Sequence, residues 1–221
     1  MHKNEGMKYK ILLLDLDGTL MDSGEGIMKC AQYALDKMGI AVDDWRSLRF
    51  FVGPPLEDSF KDFYGLSVEK AHEAVMAYRE RYFSVGMLEQ KPYDGVFTFL
   101  DTLKAMGITL CLATSKMMAQ SHFAINHFGL NKYIDYVFAR DDEGRLHTKA
   151  DVIRSGLETL SVTDKGEVLM VGDRKFDVAG ARECGIDSVG VLYGYGDREE
   201  LEAAGATYIC STFGEVIDII R

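Results

Sequence analysis

The apolar run Ile11-Leu12-Leu13-Leu14, cut off at once by Asp15-Leu16-Asp17-Gly18-Thr19-Leu20, constrains this chain more than any other stretch. Consecutive aliphatic residues of this length suit a strand buried on both faces, which belongs in a parallel sheet. The acids then emerge at the carboxyl end of that strand, where open α/β sheets place their ligand crevice. Asp-Gly after a strand is also ordinary turn chemistry. Two carboxylates two residues apart repel each other, however. A hard divalent cation such as magnesium, which prefers oxygen ligands, would make the crowding worth its cost.

The remainder of the chain divides in two. After a first strand over residues 9–15, the stretch from Ser23 is helical, with Ile27, Ala31, Ala34, Leu35 and Met38 at helical spacing and Gly39 as its stop. Asp43 to Phe51 predicts a second helical piece, and Pro54-Pro55 opens a third. Ser67 is an N-cap with Lys70 where a capping-box Glu would sit. Beyond it Val68, Ala71, Val75, Met76, Tyr82 and Phe83 share one face of a long helix ending near Val85.

From Tyr93 strands and helices alternate. A helix opens at Asp94-Gly95 and stops at Gly107; a strand over Ile108–Ala113 and a helix from Lys116 to Phe128 come after it. Next are a strand over Ile134–Ala139, a helix over Thr148–Leu160 and a strand over Val168–Val171. A helix over Phe176–Cys184, strands over Ser188–Leu192 and Thr207–Cys210, and a last helix complete the chain. Such alternation implies an α/β fold, a doubly wound parallel sheet built from right-handed βαβ units. The expected division is a core of residues 1–21 plus 93–221, with residues 22–92 inserted as an all-helical cap hinged at both crossings.

Composition narrows the partners. A formal net charge of −10 argues against nucleic acid and anionic membranes, both of which need basic surface. It leaves room for an anionic substrate, because a bound metal inverts the field at one site. Cys30, Cys111, Cys184 and Cys210 are scattered, with no C-x-x-C pair, and suggest buried free thiols in a reducing cytoplasm. The stretch Met1–Lys8 is polar, the apolar run after it is short for a signal peptide, and no run approaches the about 20 residues of a membrane span. The expectation is a soluble, cytoplasmic protein, a monomer or weak homodimer.

Further polar residues recur at strand ends. Thr114-Ser115 comes directly after Ile108–Ala113, where a hydroxyl and free backbone N–H groups suit a phosphate, or a simple N-cap. Lys149 opens a helix, an unfavourable place for a cation unless an anion is its partner; a solvated surface lysine is the alternative. Val168–Val171 runs into Gly172-Asp173, with Asp177 one helical turn later. That spacing lets Asp173 reach a metal while Asp177 orients it or a bound water.

Taken together, Asp15-x-Asp17-Gly18-Thr19-Leu20, Thr114-Ser115, Lys149 and Gly172-Asp173-x-x-x-Asp177 resemble, in order, the motifs of the haloacid dehalogenase-like phosphatases. The resemblance extends from Tyr9 through essentially the whole chain and implies a Rossmann-like core. The cap segment Phe51–Phe60, and Tyr193-Gly194-Tyr195-Gly196 ahead of Glu199-Glu200-Leu201, look like the phosphoglycolate phosphatase and 5′-nucleotidase-like branch. True dehalogenases of this superfamily lack the second acid, so Asp17 points to phosphoryl transfer.

By resemblance, Asp15 is the nucleophile that forms an aspartyl-phosphate. Asp17 protonates the leaving oxygen and later activates water. Asp15, the Asp17 carbonyl and Asp173 hold Mg2+, with Asp177 behind them. Thr114, Ser115, Lys149, Gly18 and the backbone after Asp15 bind the phosphoryl group. Those roles need opposite protonation states, with magnesium and Lys149 keeping Asp15 ionised and Asp17 carrying the proton. Many relatives have Pro after the lysine; here it is Ala150, which leaves Lys116 as a competing candidate better suited to substrate contact. Arg49 is either a contact for a substrate carboxylate or second phosphate, or a surface arginine. The implied substrate is a small phosphorylated metabolite, 2-phosphoglycolate or a nucleoside 5′-monophosphate. A phosphomutase shares every core residue, and a catalytically silent binding protein could use the same scaffold.

Overall fold

A computed structural model describes residues 6–141 and 145–221, so the first five residues of the polar N-terminal stretch lie outside the described residues. The residues fall into two units, Met1–Leu20 with Pro92–Arg221, and Met21–Lys91. In chain order the elements are β1 (Ile11–Leu14), β2 (Met21–Asp22), α1 (Gly24–Lys37), α2 (Leu56–Tyr64), α3 (Val68–Ser84), β3 (Lys91–Pro92) and α4 (Val96–Met106). They continue with β4 (Thr109–Met117), α5 (Met118–His127), β5 (Tyr136–Arg140), α6 (Lys149–Thr159), β6 (Val168–Gly172) and α7 (Lys175–Cys184). Last come β7 (Asp187–Val191), α8 (Arg198–Ala204), β8 (Tyr208–Cys210) and α9 (Phe213–Ile220).

The larger unit is a six-stranded sheet in the order β5-β4-β1-β6-β7-β8, every pairing parallel. It is the doubly wound α/β fold that the alternation implied, and β1 lies between β4 and β6 because its aliphatic run is buried on both faces. Leu13 lies opposite Cys111 and Met170 in register, and all three point into one apolar layer with Val152, Ile153, Leu157 and Ala181 from α6 and α7. Successive strands run outward from β1 first toward β5, then on the other side toward β8. The ends of β1, β4 and β6 therefore flank a topological switch point, where such sheets take ligands.

The smaller unit is helical apart from the two-residue strands β2 and β3, which pair with each other where the chain leaves and re-enters the sheet unit. Phe51 packs on Phe60 with ring centroids 4.9 Å apart. Ser67 caps α3 by accepting from the Lys70 N–H at 3.3 Å. Trp45–Phe51, inside the expected helical piece, consists of 3₁₀ turns broken at Leu48, and it buries Leu48 and Phe51. One detail differs from the sequence reading. In α3 the buried face is Ala71, Ala74, Val75, Tyr78 and Tyr82, whereas Val68, Met76 and Phe83 are exposed. The helix has two apolar strips, which spacing alone merged into one.

All four cysteines are buried free thiols. Among the described residues, no helix is long and apolar enough to cross a membrane.

Candidate active site

Most of the buried polar residues of the sheet unit gather at the carboxyl ends of its central strands. Asp15 comes directly after β1, and its N–H donates to the Val171 carbonyl at 2.9 Å, extending the ladder onto β6. Asp173 comes directly after β6, and Asp177 lies in the first turn of α7. Oxygens of Asp15, Asp173 and Asp177 all lie within 4.8 Å of one another, and all three residues are buried.

Lys149 reaches this cluster from the first turn of α6. Thr148 caps that helix in a reciprocal capping box with Asp151, which satisfies the helix start without the lysine. Lys149 Nζ is left to donate to Asp15 Oδ1 at 2.7 Å and to the Ala113 carbonyl at 3.0 Å, and it lies 2.8 Å from Asp177 Oδ1. The anionic partner that its place on the helix demanded is therefore a pair of acids of the chain itself.

Three buried acids against one ammonium leave the cluster short of positive charge. Burial pushes the Asp15 carboxyl up to about 6, with Asp177 reinforcing the rise and Lys149 opposing it. Lys149 alone thus does not keep Asp15 in the usual carboxylate range. Burial, then the charges of Asp177 and Asp15, lift Asp173 well above its ordinary value. Burial would lower Lys149, but the carboxylates of Asp15 and Asp177 outweigh it and hold the ammonium. Asp177 Oδ1 is buried with Lys149 Nζ as its partner at 2.8 Å. An all-oxygen donor set deficient in positive charge fits a hard divalent cation.

Two backbone loops close on Asp173. Gly18 has φ +85°, and a Cβ there would fall 2.1 Å from Asp173 Oδ2, so only glycine fits. Thr19 Oγ1 donates to Asp173 Oδ1 at 3.3 Å, and the Tyr195 N–H donates to Oδ2 at 2.7 Å. A Cβ on Gly194 would come within 2.3 Å of the Asp173 Cβ. Thr19, Gly194 and Tyr195 were missing from the sequence-derived set. The available signal was the Tyr-Gly-Tyr-Gly stretch just after β7, whose glycines permit this close approach.

Thr114 is buried, and its Oγ1 accepts from the Lys116 N–H at 3.2 Å. The expected helix start at Lys116 is corrected, because β4 runs on to Met117 and α5 begins at Met118. Thr114 pairs with Ala139 and Met117 with Arg140, so Ser115 and Lys116 form a bulge opposite a single step of β5. On that bulge Lys116 donates to both oxygens of Asp17 at 2.9 Å. The Asp17 carboxylate thus has its own lysine, apart from the three-acid cluster. Arg49 is exposed in the last turn of the 3₁₀ segment of the cap.

Comparison with known proteins agrees with this arrangement. Residues 12–191 match the haloacid dehalogenase-like hydrolase family. The crystal structure of a predicted phosphatase from Clostridium acetobutylicum is similar, with a TM-score of 0.91 and 43% identity, covering 95% of this chain and 97% of that one. A 5′-nucleotidase of Pseudomonas aeruginosa is 34% identical over 219 residues, 99% of each chain. The tyrosine-protein kinase PtkA of Mycobacterium tuberculosis is 33% identical over 216 residues, 98% of this chain and 72% of that one. With most of its length matched and its acids gathered at the strand ends, the chain belongs to the haloacid dehalogenase-like hydrolases.

Proposed function

We propose that this chain is a magnesium-dependent phosphomonoester hydrolase acting through an aspartyl-phosphate on Asp15, with a nucleoside 5′-monophosphate or 2-phosphoglycolate as substrate. The observation that carries the reading is the buried Asp15–Asp173–Asp177 cluster, with its single lysine, at the switch point of the sheet. The likeness to the Pseudomonas 5′-nucleotidase over 99% of each chain favours the nucleotide as the first substrate to try.

In this reading an oxygen of Asp15 attacks phosphorus while the ester P–O bond breaks, and Asp17 gives its proton to the departing alkoxide. Asp17 then takes a proton from water, whose oxygen attacks the same phosphorus, freeing inorganic phosphate and restoring the carboxylate. Lys149 holds Asp15 Oδ1 by its 2.7 Å hydrogen bond and so fixes which oxygen is available for attack. Thr114 and the backbone after Asp15 bind the phosphoryl oxygens. Asp15, Asp173 and the Asp17 carbonyl, with Asp177 alongside, would hold magnesium, which when bound neutralises charge on the phosphoryl group.

The test is a panel of phosphomonoesters, with nucleoside monophosphates, 2-phosphoglycolate, sugar phosphates and 4-nitrophenyl phosphate, scored for free phosphate with magnesium and with a chelator. The expected result is metal-dependent release from at least one small monoester. Every compound intact in magnesium would overturn the reading, and a sugar phosphate isomerised without phosphate release would mark a mutase.

A further inference from the structure

Four acids approach the carboxyl ends of β1 and β6, and they do not share one environment. Asp15, Asp173 and Asp177 lie within 4.8 Å of one another, whereas Asp17, only two residues from Asp15, turns to a lysine of its own. That lysine, Lys116, is 99 residues away in sequence, and its side chain is 6% exposed against 14% for Asp17. Removing an ion pair from water costs desolvation, so a part-buried pair with both oxygens engaged calls for an explanation beyond stability. The chain also departs from regular structure to make it. The bulge after Thr114 puts two residues, Ser115 and Lys116, against one step of β5, and bulges beside active sites re-aim side chains. The Lys116 N–H anchors that bulge on Thr114 Oγ1 at 3.2 Å.

We infer that Lys116 is the positioning residue for Asp17, holding its carboxyl out of the Asp15–Asp173–Asp177 cluster so that it serves the leaving oxygen. The inference rests on the phosphatase reading and assigns one job to the bulge. A carboxylate beside a site that takes a hard cation is itself a ready ligand, and a carboxylate bound to a metal ion is lost as a proton carrier, whereas one held by hydrogen bonds can exchange one of them for a proton. Engaging both Asp17 oxygens fixes the direction of the carboxyl as well as its distance from the cluster. Lys149 and Lys116 thereby divide the work: one holds the nucleophile within the cluster, the other keeps the acid outside it.

The distinguishing readout is dependence on the leaving group. An alkyl monophosphate needs a proton on its departing oxygen, whereas the phenol of 4-nitrophenyl phosphate departs as a stable anion. Lys116→Met in the magnesium-loaded enzyme is expected to lower kcat for the alkyl ester more than for the aryl ester, by a ratio on the order of 10². Lys116→Arg, which can still pair with Asp17, restores most of that ratio. In an Asp17→Asn background, Lys116→Met adds little further loss on the alkyl ester, because both changes remove one device. Lys116→Gln runs the same cycle and covers a folding defect in the methionine variant. Equal losses on both esters with a raised KM would make Lys116 a plain phosphoryl ligand and overturn the inference, as would additive losses in the double variant. Wild-type protein inert toward both esters brings down the phosphatase reading, and the inference with it.

Discussion

At the strand ends of the sheet unit, three buried acids gather beside one lysine, Lys149, that pairs with two of them; in the cap, one acid, Glu89, is held by two cations. Arg81 donates to both Glu89 oxygens at 2.7 and 3.1 Å, and Lys29 donates to one of them at 3.1 Å. The consequences are opposite. Arg81 first, then Lys29, hold the Glu89 carboxyl below its usual range against the effect of burial, whereas burial and mutual repulsion lift Asp15 and Asp173 above theirs. One set of charges is satisfied by the chain and stabilises it. The other is left unbalanced, the pattern found at sites where a bound group supplies the missing charge. On the proposed reading the contrast separates charges that hold the fold from charges that do chemistry.

The comparison can be broken by substitution, and the largest expected effect is at Asp15. Asp15→Asn should lower phosphate release by several orders of magnitude while the metal-free protein keeps its stability or gains some, since one of the repelling charges disappears. Kinetics paired with urea unfolding checks both halves, and a large loss of metal-free stability would make the cluster structural. Next is Gly194→Ala, whose new Cβ would lie 2.3 Å from the Asp173 Cβ and force that carboxylate aside. The magnesium concentration for half-maximal activity should rise on the order of 10- to 100-fold, as when supports of metal ligands are disturbed. The smallest effect is in the cap. Glu89→Gln should cost about 1 kcal/mol of stability at neutral pH, in the range of partly exposed ion pairs. Because the folded carboxyl is held low, that contribution is present above the ordinary value of 4.5 and disappears as pH falls through the folded value. Unfolding of wild type and variant should therefore converge in acid; a constant gap at every pH would contradict the assignment.

Much of the fold and the acid cluster was legible in the residues alone. The aliphatic runs Ile11–Leu14 and Val168–Val171 are strands because side chains of that kind on both faces fit only a buried parallel sheet, and Gly107 ends α4 in the left-handed conformation that favours glycine. Asp15, Asp173 and Lys149 could be picked out because each ends an apolar run or sits awkwardly at a helix start, and Asp177 because it falls one helical turn after Asp173. Less visible was anything that depends on register. The bulge at Ser115-Lys116 exists only against β5, so a hydroxyl pair after an apolar run looked like a helix cap. The pairing of Lys116 with Asp17 joins residues too far apart in sequence for spacing to reveal. In α3, Met76 and Val75 are adjacent and equally apolar, yet one is exposed and the other buried. Only packing against neighbouring helices decides between them.

On the proposed reading the three acids and Lys149 form an incomplete site that a divalent cation completes. Calorimetric titration of the metal-free protein with magnesium tests it most directly, with Asp173→Asn run alongside. One saturable binding event is expected in the wild type, and it vanishes in the variant. Wild-type protein that takes up no magnesium, or a variant that binds it as well as the wild type, would contradict it.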